Sequence, residues 1–309
     1  MSAPPRGHGK IILLGEHAVV YGKPGLAAGL SRGAYARATR AAEPMLAIEP
    51  WGVEVHAGHA EADPERETLR QAFAALLTGY AGAAPTLRVD AVVELAAGAG
   101  LGASAALSVA IVRALDEALG LQRADDAVAE LALAAERVFH GNPSGLDSAL
   151  AAHAGVALYR KGQPLERVRV REPVWFVVAH SGQGGSTKET VASVARQRER
   201  SPDKVSQVLD AIEELVLTGR AALESGEPTR LGQVMELNQK LLNALLLSTS
   251  RIEAMCTIAR QAGALGAKLT GGGGGGCMIA LGADAAGAEV VRAALAAAGH
   301  DAFVTVVSS

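Results

Sequence analysis

The chain has 309 residues, 49% hydrophobic and 20% charged, enough for two domains with separate apolar cores and incompatible with a disordered, collagen-like or small disulfide-stapled protein. A formal charge of −3 provides no broad basic surface, so no nucleic-acid partner is expected and an anionic ligand must be held locally. Glycine is over-used, at 36 residues or roughly 12% against a usual 7% or so.

Residues 10–14 read as a short apolar strand, 15–24 as a loop and 25–30 as a small-residue strand, with weaker strands following to about residue 58. Residues 63–80 carry Leu69, Phe73, Leu76 and Leu77 at helical spacing, and 87–95 alternate as a strand does. Residues 104–119 form the best-defined helix, with Leu107, Ile111, Leu115 and Leu119 stepping by four before Gly120 ends it. Asp125 or Asp126 caps the next helix, which runs through Glu136 towards Phe139. Asn142 and Pro143 read as an N-cap and first-turn pair for a helix reaching about Ala152, with Ser144, Gly145 and Asp147 near its positive end.

A strand at 156–160 closes the first half, and the charged stretch 161–172 marks a boundary between domains at 1–171 and 172–309. A strand at 174–180 opens the second half. Helices follow at 187–200, 204–225, 228–246 and 251–264, then strands at 277–281 and 303–307 around a last helix at 285–298. This irregular mixture predicts an α+β protein. The longest uncharged run, 95–112, is broken by Gly98, Gly100 and Gly102 and contains Ser104 and Ser108, so it reads as a buried loop entering a helix rather than a membrane span. With two cysteines, Cys256 and Cys277, and no apolar secretory leader, a cytoplasmic location is expected.

Three features carry chemistry. Residues 98–106 are a glycine loop running into a helix N-terminus, where close-approaching backbone N–H groups and positive potential suit a phosphate. A tight turn packed on a helix would use the same residues, and no GK[ST] follows as a Walker loop requires. Gly271–Gly276 is a second run, following Lys268, Leu269 and Thr270 and placed between an apparent helix and the strand from Cys277; a flexible linker is the competing reading. Finally, Lys10, Glu136 and Asp147 are a lysine and two carboxylates, the residue types phosphoryl transfer calls for, although spacing does not bring them together and a surface role for each is the competing reading. His56 and His59 form an H-x-x-H pair without a third ligand, so no metal site is expected there. His140 reads as a packing or hydrogen-bonding residue, Cys277 as a small buried hydrophobe and Arg196–Arg200 as a solvated helix face.

Residues 10–22 containing GEHAVVYG, the loop 98–106, HGNPSGLDSA from His140, and Lys268 to Cys277 occur in an order that resembles the superfamily of galactokinase, homoserine kinase, mevalonate kinase and phosphomevalonate kinase (GHMP kinases). The first and third are most similar to the mevalonate kinase motifs, and the resemblance spans essentially the whole chain.

The resemblance implies a two-domain α+β fold, ribosomal-protein-S5-like then ferredoxin-like, and transfer of the γ-phosphoryl group of ATP to the C5 hydroxyl of (R)-mevalonate. By motif position, Asp147 takes the hydroxyl proton and Lys10 stabilises the alkoxide. Gly98, Gly100, Leu101, Gly102, Ala103, Ser104, Ala105 and Ala106 wrap the phosphates, and Ser104 with Glu136 holds Mg²⁺. Glu16, His17, Ser186, Thr187, Gly271, Gly272 and Gly273 face the substrate. The family usually has GLGSS where this chain has Ala103 before Ser104, which matters only if the first serine is the ligand. A homodimer is left open. Alternatives are a sister kinase acting on phosphomevalonate, homoserine or a sugar, and a non-catalytic ligand sensor, which the intact Asp147, Lys10, Ser104 and Glu136 oppose.

Overall fold

The structure is a computed structural model describing residues 4–80, 86–96, 98–141 and 143–308. In chain order it contains β1 (Arg6–Leu14), β2 (Gly25–Arg40), β3 (Met45–Ile48), β4 (Val53–His56), α1 (Pro64–Leu77), β5 (Leu87–Val93), α2 (Ala103–Leu119), α3 (Asp125–His140), α4 (Leu146–His153), β6 (Val156–Tyr159), β7 (Glu166–Val168) and β8 (Val174–His180). Then come α5 (Thr187–Arg200), α6 (Pro202–Ser225), α7 (Pro228–Ala244), α8 (Ser250–Gln261), β9 (Gly266–Thr270), β10 (Cys277–Leu281), α9 (Ala285–Ala297) and β11 (Ala302–Val307). The α+β expectation holds. The chain divides into two compact units, residues 1–10, 32–96 and 102–154 in one, and 11–31, 97–101 and 155–309 in the other. Each unit is therefore discontinuous in sequence.

In the first unit, β3 pairs antiparallel with β4 and parallel with β5, and β5 pairs antiparallel with residues 34–40 of β2. Leu87, Val89, Ala91 and Val93 are buried while Asp90 and Val92 are exposed, the alternation of a sheet with one covered face. Helix α3 packs against α1, α2 and α4, and α2 packs against β5. Asp63 caps α1 by accepting from the N–H groups of Glu65 and Arg66, both at 2.9 Å.

Two helix starts differ from expectation. The N-cap of α3 is Ala124, with Asp125 and Asp126 inside the first turn, where their charges still meet the positive helix end. Helix α4 starts at Leu146 rather than Pro143, because Gly145 is left-handed (φ 84) and cannot belong to it; Asn142 lies outside the described residues.

In the second unit an antiparallel sheet runs β11-β8-β10-β9. Residues 25–28 of β2 pair with β6, and β6 with β7, so the stretch expected as a boundary contains a short strand. Helices α7 and α8 pack on β9, and α9 on β8 and β11. The segment before the glycine run is a strand, not a helix: β9 pairs with β10, Thr270 opposite Cys277, and the six glycines connect the two. All five β9 residues are buried, so it shows no alternation to betray it. Among the described residues no helix is long and apolar enough to cross a membrane.

Candidate active site

In the first unit, β1 delivers Lys10, the start of α2 delivers Ser104, the last turn of α3 delivers Glu136 and His140, and the first turn of α4 delivers Asp147. Lys10 Nζ lies 3.4 Å from Asp147 Oδ2, the lysine nearly buried and the aspartate partly open to solvent. His140 Nε2 is 3.3 Å from Ser104 Oγ and 3.7 Å from Glu136 Oε2. Gly102, left-handed at φ 74, permits this packing, since a Cβ there would stand 2.9 Å from Lys10 Cγ. Ala103 to Ala106 form the first turn of α2, whose leading N–H groups lack intrahelical partners.

Glu136 is 2% exposed, and its Oε1 has no hydrogen-bond partner. Burial pushes its carboxyl up to about 7; Asp147 adds to the shift, and Ser104 and Lys10 oppose it. A buried acid with an unpartnered oxygen beside a serine hydroxyl and a second carboxylate is a donor set suited to a hard divalent cation.

In the second unit, the loop after β1 presents Glu16 and His17, both buried. Glu16 Oε1 pairs with Lys268 Nζ of β9, and its Oε2 accepts from Asn238 Nδ2 of α7 at 3.1 Å. His17 has φ 61 with ψ −36, outside the left-handed well and so a strained conformation. Its Nε2–H donates to the Gly272 carbonyl at 2.7 Å. A carbonyl only accepts, so in the neutral ring Nδ1 carries a free lone pair; that atom is buried and has no hydrogen-bond partner. Burial also lowers the His17 pKa, which favours the neutral ring.

The glycine run packs tightly in this unit. A Cβ on Gly272 would come within 2.4 Å of Thr187 Oγ1, and one on Gly273 within 2.5 Å of the Leu247 carbonyl. Gly274 N–H donates to that carbonyl at 2.8 Å, and Gly276 N–H to Gln183 O at 2.7 Å. A run held this way is no free linker. Ser186 caps α5, its Oγ accepting from Glu189 N–H at 3.3 Å. Gly98 and Gly100, both left-handed with open space at the Cβ position, lie in the same unit, as does Leu101, which is buried.

The family profile for the GHMP kinase N-terminal domain matches residues 67–155, and that for the C-terminal domain matches 220–301. Mevalonate kinase of Pyrococcus furiosus is 33% identical over 291 residues, covering 88% of this chain and 86% of the relative. The Pyrococcus horikoshii mevalonate kinase is 35% identical with the same coverage. The chain belongs to the GHMP kinase family, on its mevalonate kinase branch. The L. major mevalonate kinase, solved in complex with R-mevalonate, superposes on this GHMP kinase with a TM-score of 0.87 at 28% identity, over 100% of this chain and 96% of the other. Family membership makes it an ATP-dependent kinase.

Within this GHMP kinase the expected catalytic and metal residues, Lys10, Asp147, Ser104 and Glu136, cluster in the first unit with residues 102–106, whereas Glu16, His17, Ser186, Thr187 and the glycines gather in the second with residues 98–101. Sequence reasoning assigned no role to Asn238 or Lys268, the partners of Glu16. The one local signal was a lysine between the small and apolar residues of Gly266–Leu269. His140, expected as a hydrogen-bonding residue, proves to be the neighbour of both Ser104 and Glu136.

Proposed function

We propose that this GHMP kinase transfers the γ-phosphoryl group of ATP to the C5 hydroxyl of (R)-mevalonate. The observation that carries the reading is the Lys10–Asp147 pair at 3.4 Å in a chain a third identical to mevalonate kinases along 88% of its length. Asp147 accepts the proton of the attacking hydroxyl as the oxygen bonds to phosphorus and the bond to the ADP oxygen breaks. Lys10 neutralises charge on the acceptor oxygen and the transferring group. The N–H groups of residues 102–105 serve the nucleotide phosphates, that of Ala106 being taken by the Gly102 carbonyl at 3.0 Å, and Gly98, Gly100 and Leu101 continue that loop.

Ser104 and Glu136 would hold Mg²⁺, a role supported by the unpartnered buried oxygen of Glu136 and its high pKa. Magnesium, when bound, supplies charge neutralisation at the β- and γ-phosphate oxygens. Ser104 hydrogen-bonds towards the acid, which supports the second position of the loop's final pair as the ligand and leaves Ala103 without a part in metal binding.

On the acceptor side we assign His17 Nδ1 as an acceptor for a substrate hydroxyl, with Glu16 holding the loop through Lys268 and Asn238. Ser186, Thr187 and Gly271–Gly273 complete that side. Two buried free thiols, Cys256 and Cys277, support a cytoplasmic location. The test is ADP release with mevalonate, phosphomevalonate, homoserine and galactose offered separately. Turnover with mevalonate alone is expected, and its absence refutes the proposal.

A further inference from the structure

Residues 41–44 link β2 to β3, and residues 56–59 close a turn at the end of β4. The turn is fixed by His59 N–H donating to His56 O at 3.1 Å and by Ala57 N–H donating to Pro44 O at 3.0 Å. Arg70 of α1 donates to the Ala57 carbonyl at 2.7 Å. This backbone sets the rings of His56 and His59 side by side, centroids 5.5 Å apart and planes 27° from parallel. The carboxylate of Glu43 lies against both rings, the third ligand that the H-x-x-H spacing lacks. All three belong to the first unit.

Glu43 Oε1 is 2.9 Å from His56 Nδ1, and Glu43 Oε2 is 3.7 Å from His59 Nε2. One ligand atom from each of the three residues lies within 4.8 Å of the other two, and a tetrahedral ion with bonds of about 2.1 Å would draw them to about 3.4 Å apart. His56 Nδ1 is buried and, despite its closeness to Glu43, has no hydrogen-bond partner. The two atoms thus meet in distance but not in hydrogen-bond geometry, which in the neutral ring protonated at Nε2 leaves the Nδ1 lone pair available to an ion. The other nitrogen of His56 faces Glu54 Oε1 at 3.6 Å, an outer carboxylate of the kind that orients metal-bound imidazoles.

We infer that Glu43, His56 and His59 form a site for a borderline divalent transition metal of the zinc class, with water as the fourth ligand. Two imidazoles and one carboxylate favour zinc over magnesium or calcium, which prefer all-oxygen shells. Glu43 is half-buried and His59 exposed, so the ion enters from solvent. None of the three residues belongs to the Lys10, Ser104, Glu136 and Asp147 group, and the site ties the β2–β3 connection to the turn after β4 rather than serving phosphoryl transfer.

The test uses the full chain, stripped with a chelator and held in excess Mg²⁺ so that oxygen-ligand sites are filled. Calorimetric titration with Zn²⁺ should show one equivalent binding to the wild type. His59→Ala should abolish that equivalent, and Glu43→Gln should weaken it at least about tenfold. Cobalt(II) should give the wild type the visible bands of a tetrahedral site, absent in His59→Ala. Both substitutions are in turns, and circular dichroism verifies the fold. Absence of zinc binding by the wild type, or equal binding by the wild type and both variants, overturns the inference.

Discussion

Replacing Lys268 by methionine isolates the energetics behind Glu16. Both side chains of the pair have zero exposure. The ammonium also donates to Leu269 O at 2.6 Å, and the carboxylate accepts from Asn238 at 3.1 Å. Methionine fills nearly the same volume without a charge, so the chief consequence is a carboxylate left in a dry interior with one amide donor. Removing one partner of such a pair costs about 3 to 5 kcal/mol, a large part of the roughly 5 to 15 kcal/mol that holds a domain folded. At about 2 to 4 °C per kcal/mol for a chain of this class, the melting temperature should fall by roughly 6 to 20 °C. The double variant Lys268→Met with Glu16→Gln carries no buried charge, and its amide still accepts from Asn238. It should recover most of the loss, since neutral replacement of a buried pair is close to neutral or better. Urea and thermal unfolding of the wild type, the single and the double variant measure this. A single variant within about 1 kcal/mol of wild type, or a double variant no more stable than the single, would refute the reasoning.

Three further outcomes follow from the same geometry. Asp147→Asn keeps the shape of the side chain and removes the base, so turnover with mevalonate should fall by about 10² to 10⁴ while ATP binding, read by calorimetry, stays near wild type; near-normal turnover would place the base elsewhere. Ser104→Ala should raise the Mg²⁺ concentration needed for half-maximal turnover, and an unchanged magnesium titration would count against the hydroxyl as a ligand. His17 is held neutral by burial, its folded pKa below the usual 6.5, so the unfolded chain takes up a proton first as pH falls and stability drops through that region by up to about 1.4 kcal/mol per pH unit. In His17→Gln the slope of unfolding free energy between about pH 5 and 7 should be shallower, and an identical slope would show that His17 is protonated equally in both states.

What could be read from residues alone follows a physical line. Helix α5 and strands β8 and β10 have the expected limits because their signals are local: Ser186 is a capping hydroxyl at the start of α5, and Val174–His180 and Cys277–Leu281 are apolar runs of strand length. Strand β9 escaped because it is buried on both faces and holds a lysine, so Gly266–Thr270 carries neither alternation nor a uniformly apolar run. That lysine is neutralised by Glu16, 252 residues away in sequence, and no local pattern announces such a partner. The same holds for chemistry. The motifs carrying Lys10, Ser104, Glu136 and Asp147 named the right residue types, but the 3.4 Å between Lys10 and Asp147 and the unpartnered oxygen of Glu136 are products of tertiary packing. His56 and His59 make the point in reverse: as a pair in sequence they lacked a ligand, and the β2–β3 connection supplies Glu43. A sequence period reports which face of an element is covered; a site depends on which separate elements meet there, so its residue types are legible earlier than its partners.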